Sequence, residues 1–214
     1  VLNFAKAVKA KRVIYSSSSS VIGDGDGPVS PYALQKLYDE MQCRLWSKIY
    51  GLDTVALRYF NVYSEDQQAK TTYATAIANW MHHIKENKRP FLNGNGTQRR
   101  DMLHVNDAVL ANIFAMNYEG LFFGKSFDVG TGTNISLNEI IDIVHNYFPE
   151  VEFQKRPQRK GDVLLTRAKT SDLEKLGWRA MVRINDGINS CFNNLKEYKL
   201  GKGRSQFRNN NGVM

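Results

Sequence analysis

Short β-branched runs alternate along this chain with longer stretches in which apolar residues recur every three or four positions. Val13-Ile14-Tyr15 and Thr54-Val55-Ala56-Leu57 are of the first kind and predict strands at residues 12–16 and 53–59. Between them Leu34, Leu37, Tyr38, Met41, Leu45 and Ile49 keep helical spacing. Pro31 suits the first position of that helix and Gly51 its close, so it is placed from Pro31 to about Tyr50. Residues 2–10 read as the end of an amphipathic helix. A strand, a helix and a strand in succession argue for a parallel, doubly wound sheet.

The second half is more mixed. Residues 72–85, 106–118, 170–176 and 186–198 carry helical patterns, and 90–92, 126–129 and 151–154 read as short strands. The turn Asn93-Gly94-Asn95-Gly96 follows the first of these strands. Ser136-Leu137-Asn138-Glu139 is a capping box opening a helix whose Leu137, Ile140, Ile141 and Val144 share one face. Beyond Leu200 the chain is rich in Gly, Asn and Arg, and disorder is expected over 201–214. No internal repeat is found.

The 214 residues suffice for one good core and a small second lobe. No apolar run approaches the ~20 residues of a bilayer span, so no membrane association is expected. The N-terminus lacks a signal-peptide pattern. Cys43 and Cys191 each fall inside an amphipathic helical pattern and read as buried reduced thiols, which points to a cytoplasmic location. The histidines His82, His83, His104 and His145 have no metal-ligand spacing, and no metal is expected. The net charge of +8 suits an enzyme for an anionic substrate, with no nucleic acid as partner.

Tyr32 and Lys36 sit four residues apart near the start of the long helix, so they share a face. An ammonium beside a phenol favours the phenolate, which can exchange a proton with a sugar hydroxyl. A serine hydroxyl at the adjacent strand end can hold the same oxygen, since it both donates and accepts. The spacing recurs at Tyr198 and Lys202 in the basic tail, where nothing catalytic is read, so the setting must single out the first copy.

That setting is specific. Lys11-Arg12-Val13-Ile14-Tyr15 runs into Ser16 to Ser20, then Val21-Ile22-Gly23; Ser30-Pro31-Tyr32 and Leu57-Arg58-Tyr59-Phe60-Asn61-Val62-Tyr63 follow in order. Arg100-Asp101-Met102-Leu103-His104-Val105 and Arg159-Lys160-Gly161-Asp162 come after them. Over residues 1–198 the chain resembles the extended short-chain dehydrogenase/reductase family, and within it NAD-dependent nucleotide-sugar epimerases such as UDP-glucose 4-epimerase. The resemblance implies a Rossmann-like α/β fold with its N-terminal strands missing, joined to a smaller α+β lobe that binds the substrate. Residues 1–63 and 98–118 would belong to the former, and 64–97 and 119–200 to the latter.

The resemblance also assigns residues. Ser18, Tyr32 and Lys36 match the catalytic Ser/Thr, tyrosine and lysine, with Ser17 and Ser20 as alternatives within the serine run. Ser16, Tyr32, Lys36, Tyr59 and Phe60 match the NAD site. Ser18, Asn61, Asn93, Arg100, Arg159 and Asp162 match positions that hold a UDP-sugar, the arginines because a planar guanidinium pairs bidentately with phosphate. Tyr59 fits core and site equally well, and Arg99 and Lys160 read as solvated. Asn93 stands where many relatives place an aromatic. A homodimer is implied, joined through the helices ending near Lys9 and starting at Pro31.

C4 epimerisation through a transient 4-keto sugar is the expected reaction. Relatives that are 4,6-dehydratases carry Asp-Glu where Ser19-Ser20 stand, and two hydroxyls cannot replace that acid/base pair. A keto-sugar reductase, a 4,6-dehydratase and an inactive paralogue that only binds nucleotide-sugar remain the alternatives. The stretch from Gly23 to Tyr32 is shorter than usual. The family's Gly-x-x-Gly-x-x-Gly loop is not found upstream of the first strand, and Gly23-Asp24-Gly25-Asp26-Gly27 is no substitute, since its carboxylates repel phosphate. The chain is therefore expected to begin partway through the fold and to bind NAD weakly by itself.

Overall fold

A computed structural model describes residues 1–23, 25–69, 74–158 and 163–201. Helix α1 (Leu2–Ala7) leads into strand β1 (Val13–Ser18), a single 3₁₀ turn over Ser19–Val21, and helix α2 (Pro31–Tyr50). Strands β2 (Thr54–Tyr59) and β3 (Val62–Tyr63), helix α3 (Ala76–Lys85), and strands β4 (Phe91–Asn93), β5 (Arg99–Arg100) and β6 (Leu103–His104) follow. Then come α4 (Val105–Asn117), β7 (Lys125–Val129), β8 (Ile135–Ser136), α5 (Leu137–Tyr147), β9 (Gln154–Arg156), α6 (Ser171–Glu174) and α7 (Ile184–Lys199).

The main sheet has the order β1-β2-β7 and is wholly parallel. Strand alternation divides its side chains between two helical layers. Val55, Leu57, Phe127 and Val129 face α4 and form an apolar core with Ala108, Ala111 and Ala115. Burial of each larger side chain contributes roughly 1.5–3 kcal/mol. The other face is polar and lies under α2: Tyr15 donates to Asp39, Ser17 to Glu40, Thr54 to the carbonyl of Cys43, and Ser126 to Glu40.

Helix α2 starts and stops for local reasons. Ser30 accepts from the Ala33 amide, Pro31 fills the first turn, and Gly51 ends the helix at φ 64°. The apolar positions do not face the sheet as its polar surface explains: Ala33, Glu40 and Cys43 are buried, while Leu34, Tyr38, Met41, Leu45 and Ile49 are exposed.

A second core gathers α3, α5 and α7 around Trp80, Ile140, Ile188 and Phe192. Its strands form two-stranded pairs: β4 parallel to β9, β5 antiparallel to β8, and β3 parallel to β6. The predicted capping box is present, with Ser136 and Glu139 bonding each other's backbone.

Three expectations are corrected. Residues 125–129, assigned to the smaller lobe, are the third strand of the main sheet, because they pair with β2. The strand expected at 151–154 lies at Gln154–Arg156, where pairing with β4 sets it, and Val151 and Phe153 pack on the second core instead. Of the helix expected over 72–85, Ala76–Lys85 is helical, with Thr75 as its cap and Ala74 ahead of it; residues 72 and 73 lie outside the described residues. Residues Arg159, Asp162 and 202–214 lie outside the described residues.

Candidate active site

The strand ends of β1 and β2, the first turns of α2, and strands β4 and β5 enclose a cleft of about 610 Å³. The carboxyl ends of parallel strands are where such sheets bind ligands. Ser16, Ser18, Tyr32, Lys36, Tyr59, Asn61, Asn93 and Arg100 all line it. Phe60 does not: it is 2% exposed, and its amide continues the ladder to the Val129 carbonyl.

Lys36 Nζ donates to the Ser16 carbonyl at 2.6 Å and lies 5.8 Å from the Tyr32 ring centroid. The ammonium thus bridges the helix to the strand end while staying beside the phenol, which is 39% exposed towards the cleft. Ser18 Oγ accepts from the Ser20 amide at 3.2 Å and from Ser20 Oγ at 2.9 Å, capping the 3₁₀ turn. Ser17 turns the other way, and its buried hydroxyl donates to Glu40 at 2.5 Å. Ser17 lines the cleft with Ser18 and Ser20, but its hydroxyl is engaged by Glu40 on the α2 side.

Tyr59 serves core and cleft together. Its ring packs in the α4-side core, and its hydroxyl accepts from Asn112 at 2.7 Å. Burial pushes its phenol up, against the opposing hydrogen bonds from Asn112 and Ser16. Asn61 turns the chain out of β2 at φ 32°, a left-handed conformation tolerated by asparagine. Its Nδ2 donates to the Asp101 carbonyl at 2.7 Å and to Thr166 Oγ1 at 3.2 Å.

At the far end Arg100 and Asn93 share the wall with Trp80, Phe91 and Met102. Arg100 Nη1 donates to the Arg99 carbonyl at 3.0 Å. Arg99 is less solvated than expected: it bonds Asn134 Oδ1 at 2.7 Å and pairs with Glu139 at 2.8 Å. Among the described lining residues, the ionisable groups are Tyr32, Lys36, Tyr59 and Arg100; Asp, Glu and His do not occur there.

Two carboxylates outside the cleft organise it and were missed from sequence. Asp101, fully buried, accepts from the Thr131 amide and hydroxyl and from the Gly132 and Ala168 amides. Glu40 joins α2 to all three sheet strands. The register Tyr32, Lys36, Glu40 could have signalled the latter, since each step is one helical turn. No group of His, Cys, Asp and Glu among the described residues could hold a metal ion, and none of the described helices is long and apolar enough to cross a membrane.

Residues 1–130 match the NAD dependent epimerase/dehydratase family. The chain belongs to that family. A Methanocaldococcus jannaschii protein provisionally named UDP-glucose 4-epimerase is 31% identical over 199 residues, covering 87% of this chain and 63% of its own length. A UDP-glucose 4-epimerase from Thermotoga maritima, solved with UDP-glucose, superposes with a TM-score of 0.83 at 26% identity, over 93% of this chain and 67% of that one. A Bacillus cereus UDP-glucuronic acid 4-epimerase, solved with UDP-glucuronic acid and NAD, gives 0.80 at 25% identity, over 92% and 65%. The parallel sheet is thus the Rossmann-type sheet of epimerases of this family, and the chain spans 63% of the length of the first curated relative.

Proposed function

We propose that the intact protein carrying this chain is an NAD-dependent 4-epimerase of a UDP-sugar, with Tyr32 as the acid/base. The observation that carries this reading is the ionisable content of the cleft. Among the described lining residues, two phenols, one ammonium and one guanidinium are suited to moving a single proton beside an anionic substrate. A dehydratase needs a further acid/base pair, and the residues in its place, Ser19 and Ser20, line the cleft as hydroxyls.

The residues present fit the cofactor's nicotinamide ribose end. Lys36 offers an ammonium, Tyr32 and Ser16 offer hydroxyls, and Tyr59 an aromatic wall, all at one strand-end corner. When bound there, NAD supplies reversible hydride acceptance from the sugar's C4. Tyr32 takes the proton of the 4-hydroxyl as the alcohol becomes a ketone and returns it when the other epimer forms. Ser18 holds the same oxygen, and Lys36 keeps positive charge beside the phenolate. Arg100 binds the diphosphate, and Asn61 and Asn93 contact the nucleotide-sugar. Arg159 and Asp162, outside the described residues, are assigned to the same diphosphate and to the nucleotide ribose.

A second copy of the chain is the proposed partner. Leu34, Tyr38, Met41, Leu45 and Ile49 form a stripe along α2, each 45–60% exposed, and Phe4 and Val8 extend it at α1. A helix bundle between two protomers would cover it.

The test is direct. The intact protein is incubated with a panel of UDP-hexoses and UDP-uronic acids, and products are resolved by NMR. C4 epimers with no net oxidation are expected; a 4-keto-6-deoxy product would assign a dehydratase instead.

A further inference from the structure

The face of the sheet beneath α2 is polar, and its donors converge on one carboxylate. Glu40 is 2% exposed. Its Oε1 accepts from Ser17 Oγ at 2.5 Å and Arg58 Nε at 2.9 Å, and its Oε2 from Arg58 Nη2 at 2.7 Å and Ser126 Oγ at 2.8 Å. These donors come from β1, β2 and β7. Arg58 reaches on to Asp128 at 3.8 Å, and the Asp128 carboxylate accepts the Lys169 amide.

Stability alone is a poor reason for this arrangement. A buried ion pair is often matched or bettered by apolar residues of similar volume. What it offers is direction. Four bonds, two of them from one rigid guanidinium fork, fix a helix along its axis and across the strands, where apolar packing would let it slide. Two of the arms, Ser17 and Arg58, also lie one step from groups that line the cleft. Ser17 stands between Ser16, whose carbonyl holds Lys36 Nζ, and Ser18 on the cleft. Arg58 immediately precedes Tyr59, and Glu40 is one helical turn beyond Lys36 and two beyond Tyr32.

We propose that Glu40 is a positioning residue for the reaction, holding α2 over the strand ends so that Tyr32 and Lys36 meet Ser18 at reacting distance. The inference rests on the epimerase reading above. Glu40 does not line the cleft. Its contribution is geometric, and displacement of a reacting group by about 1 Å can lower turnover by ~100-fold.

The test uses the intact protein. Glu40→Gln keeps the side-chain volume but turns an amide donor towards Arg58 or the serines. Turnover is expected to fall ~10- to 100-fold with KM for the UDP-sugar within about threefold. Ser17→Ala and Ser126→Ala supply the contrast, each deleting one hydroxyl bond to the same carboxylate. A purely structural Glu40 predicts that the two serine variants lose unfolding midpoint and turnover alike. Positioning predicts similar midpoints but a kcat several-fold lower for Ser17→Ala, which loosens the strand end beside Ser18. Equal kcat in the two serine variants, or unchanged kcat in Glu40→Gln, overturns the proposal; if Glu40→Gln fails to fold, the serine pair decides it. A wild type that converts no nucleotide-sugar refutes the epimerase reading, and amide exchange then judges the clamp separately. Glu40→Gln must speed exchange at residues 16–18 and 32–36 at least tenfold relative to α5, and unchanged exchange overturns it.

Discussion

Asp101→Asn isolates the anchor behind Arg100. The carboxylate is 0% exposed. Oδ1 accepts the Thr131 amide at 2.9 Å and Thr131 Oγ1 at 2.8 Å, while Oδ2 accepts the Gly132 amide at 3.0 Å and the Ala168 amide at 3.0 Å. Asparagine keeps the shape and replaces one acceptor with a donor. Its better orientation places the NH₂ at the Oδ1 side, where the Thr131 hydroxyl can reverse to accept but the Thr131 amide loses its partner. The other orientation strands two amides. One orphaned amide and weaker, uncharged acceptance of the rest cost about 2–4 kcal/mol together. For a domain of this size that lowers the melting temperature by roughly 5–15 °C. The same change frees the loop at 130–133 and the segment near Ala168 from the strand that carries Arg100, so KM for the UDP-sugar should rise more than kcat falls. Scanning calorimetry with and without saturating UDP measures the first effect, and initial rates the second. A melting temperature within 1 °C of wild type would refute the view of Asp101 as an anchor.

In the intact protein, Tyr32→Phe should reduce kcat by ~10²- to 10⁴-fold with little change in KM, whereas Arg100→Ala should chiefly raise KM; equal effects on both parameters in both variants would contradict the roles assigned. Met41→Glu places a charge in the exposed stripe of α2 and should convert a dimer to monomers in light scattering, and a wild type that is monomeric at micromolar concentration would sink the bundle. Burial pushes the Glu40 carboxyl up, but bonds from Arg58, Ser17 and Ser126 outweigh it and hold the group below its ordinary 4.5. The stability it contributes is therefore complete above pH 4.5 and lost as pH falls through the lowered value, so wild type should lose stability more steeply than Glu40→Gln below pH 4.5; parallel denaturation curves would count against this.

Elements set by neighbouring residues were legible in the sequence. Pro31 and Gly51 bound α2 at the residues expected, and the capping box at Ser136 opens α5. Elements set across long separations were not. The pairs β3–β6 and β5–β8 are two residues long and have no period of their own. Lys125–Val129 was readable as a strand, but only its pairing with β2 says which sheet it joins. The cleft was legible where a motif names a residue, and its described members except Phe60 line it. Glu40 was hidden because a charged helical residue ordinarily faces water. Recognising it required knowing that the sheet beneath is polar, which Ser17, Arg58 and Ser126 reveal only when three strands lie side by side.

The closure of the second core by α7 has a temporal consequence. Ile77, Trp80, Met81 and Ile84 of α3 are buried against a cluster completed by Ile188, Phe192 and Leu195. During synthesis the intervening chain of about a hundred residues takes on the order of 5–20 s to emerge from the ribosome. Through that interval the apolar side of α3 has no permanent cover. A chain ending before α7 would leave that apolar side of α3 exposed, the kind of surface through which incomplete chains aggregate.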